Sequence, residues 1–179
     1  MGSVEVTRPK VAIYNLYWAT YGGGEQVSGA IAEALKTHCD VTLLGPEAPN
    51  VEATRARLGV DLSGCEWRKV VDDSEAGEAS ADFDVFINGT YRSHTVNQAP
   101  VGLYYVHFPE PPITSRRQAV HKIAQVGLGA MKAAPRLPAR LTGVQRGLQR
   151  RVIDQSWSKS YTKFLSNSTY TAGWVKKLW

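Results

Sequence analysis

An α/β domain with a Rossmann-like parallel sheet and helices on both faces is the fold class predicted for this chain. Three observations predict it. Strand-like and helix-like runs alternate along most of the sequence, as a sheet with crossover helices requires. The strand-like runs, such as Val11-Ala12-Ile13-Tyr14-Asn15-Leu16, are nearly continuous in apolar character, which marks strands covered on both faces. Three glycines, Gly22, Gly23 and Gly24, stand where the first strand hands over to the first helix.

The elements follow in order. Lys10 to Leu16 is the first strand. Gln26 to Thr37 is an amphipathic helix, with Val27, Ala30, Ile31, Ala34 and Leu35 as its apolar face. Asp40 to Leu44 is a second strand, closed by Gly45-Pro46, and Val51 to Leu58 is a short helix. Trp67 to Val71 reads as a third strand, and the acidic, Gly/Ala/Ser-rich Asp72 to Asp82 as a loop or weak helix. Phe83 to Ile87 and Val101 to Phe108 are further strands; the second stops at Pro109-Glu110-Pro111-Pro112, which continues no regular element. Two basic helical stretches divided at Pro135 and Pro138 come next. Thr162 to Ser166 is a last strand and Tyr170 to Leu178 a last helix. The expected organisation is one Rossmann-like domain over 1–179, with 1–9 a flexible N-terminus and 115–155 a basic helical segment.

The 179 residues, 43% hydrophobic, suit one domain with a real core. Cys39 and Cys65 form no CxxC and no Cys/His cluster, so no zinc site, other metal site or disulfide framework is expected. Two unpaired thiols fit a reducing cytoplasm, where the sequons at Asn88 and Asn167 carry no meaning. The N-terminus lacks the apolar stretch of a signal peptide, and no run is long enough to span a membrane. The net charge of +5 is uneven: residues 115–163 hold eleven basic residues against the single acid Asp154. Such asymmetry points to an anionic partner for that segment.

Four features carry candidate chemistry. The glycine turn lets backbone approach a ligand with no Cβ in the way, and the following helix N-terminus favours phosphate; a tight turn that binds nothing is the plain alternative. It is not a P-loop, since no Gly-Lys-Ser/Thr follows. It is a poor dinucleotide fingerprint, since Val27 replaces the third small residue and no acid ends the second strand. One diphosphate edge fits it better. His107, at a strand end, can donate to or exchange a proton with a hydroxyl or phosphate, or else is a core histidine bonded to backbone. His38, His94 and His121 read as structural. The carboxyl ends of the strands collect Tyr17, Trp18, Asn88, Tyr91 and Glu110 into a rim suited to a sugar, with Tyr21, Tyr104 and Tyr105 nearby; about half of these aromatics belong to the core.

The fourth feature is the stripe Leu137, Leu141, Val144, Leu148 and Val152, surrounded by Arg136, Arg140, Arg146, Arg150 and Arg151, with Arg116 and Arg117 upstream. It can lie on an anionic membrane face or pack on its own domain. No helix-turn-helix, RRM or zinc signature accompanies the arginines, so nucleic acid is not expected as a partner.

Taken together, the residues resemble the N-terminal half of a family-4 glycosyltransferase of the GT-B fold. Tyr21-Gly22-Gly23-Gly24-Glu25 is similar to that family's Gly-Gly-x-Glu turn. Asn88-Gly89 closes a strand as it does there. Tyr104-Tyr105-Val106-His107-Phe108-Pro109 resembles the Tyr-x-His-Phe/Tyr-Pro segment of the dolichol-pathway mannosyltransferases. Asn167-Ser168-Thr169-Tyr170-Thr171 resembles the entry to the domain's last helix. The resemblance implies retaining, metal-independent sugar transfer from a nucleotide sugar, with no other cofactor. It gives Gly22, Gly23 and Gly24 to the donor diphosphate, and places His107 near the transferred sugar. It makes this half the holder of a glycan or lipid-linked acceptor, in a cytoplasmic protein that can sit on the cytoplasmic membrane face. The donor-binding half has no counterpart in these residues, so the expected partner is that C-terminal domain, in cis or in trans, and the chain alone is expected to be inactive. A non-catalytic membrane or partner-binding module, and a nucleotide-binding regulator, are the alternatives.

Overall fold

The computed structural model describes residues 7–109 and 155–178. Six parallel strands form one sheet in the order β3-β2-β1-β4-β5-β6. They are β1 (Lys10–Tyr14), β2 (Asp40–Gly45), β3 (Glu66–Lys69), β4 (Val85–Asn88), β5 (Val101–Val106) and β6 (Lys163–Ser166). Helix α1 (Gly23–Leu35) joins β1 to β2, α2 (Val51–Leu58) joins β2 to β3, and α3 (Asp73–Ser80) joins β3 to β4. A 3₁₀ turn (Gln155–Ser160) precedes β6, and α4 (Thr169–Leu178) follows it. This is a Rossmann-like α/β fold.

Alternation along β1 divides the core in two. Val11 and Ile13 face a cluster with Ala32, Val41, Leu43, Val60 and Ile87. Ala12 and Tyr14 face the opposite cluster, with Ala76 and Ala79 of α3, Phe86, Tyr104, Trp157 and Tyr161. Successive side chains of a strand point to opposite faces, so a strand filled on both must be apolar throughout. Each fully buried large side chain, Ile13 or Phe86 for example, contributes roughly 1.5–3 kcal/mol relative to exposure.

Helix α1 begins three residues earlier than the periodicity predicts and is rotated from the predicted stripe. Its buried residues are Glu25, Ser28, Gly29 and Ala32, while Ala30 and Ala34 are exposed. The cause is close packing: a Cβ on Gly29 would stand 2.9 Å from Val60 Cγ1. Small residues make the closest approach, while Ile31 and Leu35 of the predicted stripe still pack, partly buried, against the same cluster.

The acidic stretch after β3 is a true helix. Asp72 caps α3, its carboxylate accepting from the Ser74 and Glu75 amides. Arg8 is anchored to the domain: its guanidinium donates to the carbonyls of Lys36 and Cys39 at 2.7 and 2.8 Å, just past the end of α1, and pairs with Asp40 at 2.9 Å. The basic segment 115–155, with Arg116, Arg117, Arg136, Arg140, Arg146, Arg150 and Arg151, lies outside the described residues, but for Gln155.

Candidate functional site

The strand order reverses direction between β1 and β4, since β2 and β3 lie to one side of β1 while β4, β5 and β6 lie to the other. Crossovers leave in opposite directions there, which opens a crevice at the carboxyl ends of the two strands. A cleft of about 270 Å³ occupies that crevice. Gly24 and Glu25 of α1 and Thr20 of the preceding loop form one wall; Gly89, Tyr91 and His107 form the other; Asn15 and Tyr17 complete the lining.

The glycine turn is shaped by what it must avoid. A Cβ on Gly24 would lie 3.2 Å from His107 Cε1, and one on Gly22 2.7 Å from Glu25 Oε2, whereas one on Gly23 meets nothing within 4 Å. Glycine at position 24 lets the turn and His107 approach without a tight Cβ contact. Tyr21, just before it, takes a positive φ of 55°. Glu25 is only 6% exposed. Its Oε2 accepts from the Gly22 amide at 2.6 Å and from the Thr20 hydroxyl at 3.1 Å. One of the turn's donors is thereby satisfied by the chain itself. The amides of Gly23, Gly24 and Glu25 have no partner inside the helix, as at any helix start.

His107 follows β5. Its Nε2 is 2.9 Å from the Gly89 carbonyl oxygen. A carbonyl only accepts, so Nε2 carries the proton, and in the neutral ring Nδ1 is an acceptor. Tyr91 and Tyr105 meet the ring edge-on at 6.0 and 5.0 Å. Asn167 donates its side-chain amide to the His107 carbonyl at 2.9 Å, fixing β6 to the same corner.

The sequence-predicted residues divide. Gly24, His107, Tyr17 and Tyr91 come together at the cleft, with the two tyrosines 44% and 43% exposed. Gly22 and Gly23 flank it. Trp18 and Asn88 do not belong to the rim. Trp18 is 2% exposed and donates its indole N–H to the Leu44 carbonyl, as a core residue whose polar tip needs a partner. Asn88 is fully buried and donates to Ser93 Oγ and the Tyr161 hydroxyl. A side chain at a strand end can point into the layer below as readily as into the crevice. Glu110 lies outside the described residues. Tyr104 is core, and His94 is structural: its amide donates to Asp73 and its ring meets Trp157 edge-on.

Sequence reasoning missed Asn15, Thr20 and Glu25 as cleft residues. Glu25 was legible in principle, because a glutamate at the third helical position is placed to reach back to the N-cap amide. Among the described residues no group of three or more His, Cys, Asp or Glu is placed to hold a metal ion, and no helix is long and apolar enough to cross a membrane. No protein-family model matches the chain, and no curated protein or solved structure matches it.

Proposed function

We propose that this chain is the acceptor-side domain of a retaining glycosyltransferase, which moves a sugar from a nucleotide-sugar donor to a glycan or lipid-linked acceptor. The observation that carries the reading is the juxtaposition of the glycine turn with His107 across the switch-point cleft, close enough that a Cβ at Gly24 would stand 3.2 Å from the imidazole. A reaction at this cleft would have backbone amides on one side and an imidazole on the other. Gly23 and Gly24 are the turn residues left to meet a donor diphosphate, because Glu25 already holds the Gly22 amide. His107 is the candidate catalytic residue, positioned by Gly89 and Asn167. The donor itself would be held by a second domain, in cis or in trans. Arg116 to Arg151 would bring the acceptor's membrane face close.

The test needs the second domain. With it present, transfer from a nucleotide sugar should be measurable, and His107→Ala should lower kcat by roughly 100-fold or more, the scale of a lost acid–base or electrostatic group. Circular dichroism and urea midpoint of the variant should stay close to those of the parent. Unchanged turnover in that variant removes His107 from the chemistry. A non-catalytic binding module is the second reading. It is favoured by His107's hydrogen bond to a backbone carbonyl, with no carboxylate partner among the described residues. Absence of transfer with any paired domain would support it.

A further inference from the structure

An aromatic row crosses the surface from the end of β5 onto α4. The Phe108 and Tyr170 rings stack at 6.4 Å, Tyr170 and Trp174 meet edge-on at 6.4 Å, and Lys177 Nζ lies 5.0 Å over the Trp174 ring. Tyr170, Trp174 and Lys177 stand at i, i+4 and i+7, which is one face of a helix. The residues one step on, Thr171 and Val175, turn inward: Thr171 is buried and Val175 packs on the core. The domain therefore takes the other face of α4 and leaves the aromatic one outside. Phe108 is 47% and Tyr170 66% exposed. A single apolar side chain at a surface needs no explanation, but a contiguous row spread over two elements marks an interaction surface.

Charge and ring geometry select the partner. Residues 155–179 carry Lys159, Lys163, Lys176 and Lys177 and no acid. An anionic surface is complementary to that charge, whereas a second copy would bring the same lysines to the same row. Ring geometry separates a lipid surface from a nucleic-acid strand, because a base needs a free ring face on which to stack. Here Phe108 and Tyr170 turn their faces toward each other, and Lys177 covers the face of Trp174. What remains is an apolar wall bordered by a phenol and ammonium groups. Such a wall suits the headgroup layer of a bilayer, where rings sit among the upper acyl carbons and lysines reach the phosphates.

We propose that Phe108, Tyr170 and Trp174, with Lys176 and Lys177, dock this domain on an anionic lipid surface. The contact is distinct in sequence from the arginines 116–151, and it is made by a helix already packed on the sheet. It is independent of the transferase reading. Its position has a consequence, since Phe108 directly follows His107 and Asn167, two residues before α4, donates to the His107 carbonyl. A bilayer held by the row borders the cleft.

The full chain serves for the test, mixed at low salt with phosphatidylcholine vesicles that contain or lack phosphatidylserine. It should float with the phosphatidylserine vesicles and partition about tenfold less onto phosphatidylcholine alone. Phe108→Ser/Tyr170→Ser, at two exposed positions, should lower the partition coefficient roughly tenfold. Lys176→Gln/Lys177→Gln should lower it about fivefold per lysine. Bromine-labelled acyl chains give a readout that needs no change at Phe108 or Tyr170: they should quench a share of the tryptophan fluorescence, and Trp174→Phe should remove that share. Failure to float with either vesicle overturns the proposal. So does unchanged partition of Phe108→Ser/Tyr170→Ser with the parent's circular dichroism, which would move any membrane contact to the arginines. Quenching that survives Trp174→Phe in full overturns it as well. A dimer dissolved by Phe108→Ser/Tyr170→Ser, or an oligonucleotide bound more tightly than the vesicles and released by that variant, gives the row to another partner and also overturns it. Row-dependent flotation without transfer by a paired domain upholds the docking surface and removes the transferase reading alone.

Discussion

Two loops leave the carboxyl edge of the sheet side by side, and they are built to opposite ends. The corner after β1, residues 15–22, is open: Tyr17, Ala19 and Thr20 are exposed, and the turn's amides are only partly used. The connection after β4, residues 89–100, is closed. Asp73 Oδ1 accepts from the hydroxyls of Tyr14, Ser93 and Thr95 at 3.0, 2.8 and 2.9 Å, and its Oδ2 accepts from the His94 amide at 2.7 Å. Asn88, Tyr104 and Tyr161 complete the network from below. The second loop has no crossover helix to bury it, so its polar groups are satisfied by a half-buried carboxylate instead. The difference teaches that one corner leaves polar groups open at the cleft, while the other is a hydrogen-bonded buttress beneath Gly89 and Tyr91.

The largest expected effect that sharpens this contrast is Asp73→Ala. It removes the shared acceptor of three hydroxyls and an amide at once, with Ser93 and Thr95 left only each other. The loss should be about 3–5 kcal/mol, given roughly 1–3 kcal/mol for each buried donor left unpaired and incomplete additivity. Urea unfolding measures it; a loss below about 1 kcal/mol would mean the buttress is not one.

Alkali probes the same network more gently. Burial, and then the Asp73 carboxylate beside it, pushes the Tyr14 phenol above its ordinary value; burial does the same for Tyr161, partly offset by the Asn88 amide. Both keep their protons at a pH, above about 10, where an unfolded tyrosine has lost its own. The unfolded state then binds fewer protons, so this contribution is fully present below pH ~10 and is lost as pH rises beyond it, by about 1.4 kcal/mol per pH unit for each tyrosine. Urea midpoints at pH 9 and pH 11 should show the fall, and the Tyr14→Phe/Tyr161→Phe double variant should flatten it.

The smallest effect belongs to the open corner. Gly23→Ala adds a methyl that meets nothing, so stability should change by no more than about 0.5 kcal/mol. In the paired enzyme of the proposed reading the same methyl should raise KM for the donor. A large stability loss there would erase the contrast between the two corners.

The sheet was legible because its cause is local and repetitive: apolar runs, glycine and proline punctuation, and alternating elements. The exact face of α1 was not. Helical periodicity marks the bulky residues, whereas Ser28, Gly29 and Ala32 are chosen for closeness to Val60 and Asn15, contacts distant in sequence. The site was legible as a place, since the glycine turn and His107 both stand at strand ends. Which strand-end side chains enter the crevice was not, because that depends on partners such as Leu44 for Trp18 and Tyr161 for Asn88. Asp73 carried no signal that separated it from the other acids of its stretch.

Tyr21 holds a left-handed backbone that glycine would adopt more easily, yet the chain spends a tyrosine there. Its ring lies under the Arg57 guanidinium of α2, 4.7 Å from the ring centre. The side chain thus bolts the glycine turn to a helix on the far side of β2. Replacing it by glycine would relax the backbone and give up the cation contact, two terms of similar size and opposite sign. Thermal screening would pass such a change as silent. The turn it releases is the one facing His107, so in the proposed reading damage at this position would surface in ligand recognition and not in the melting curve.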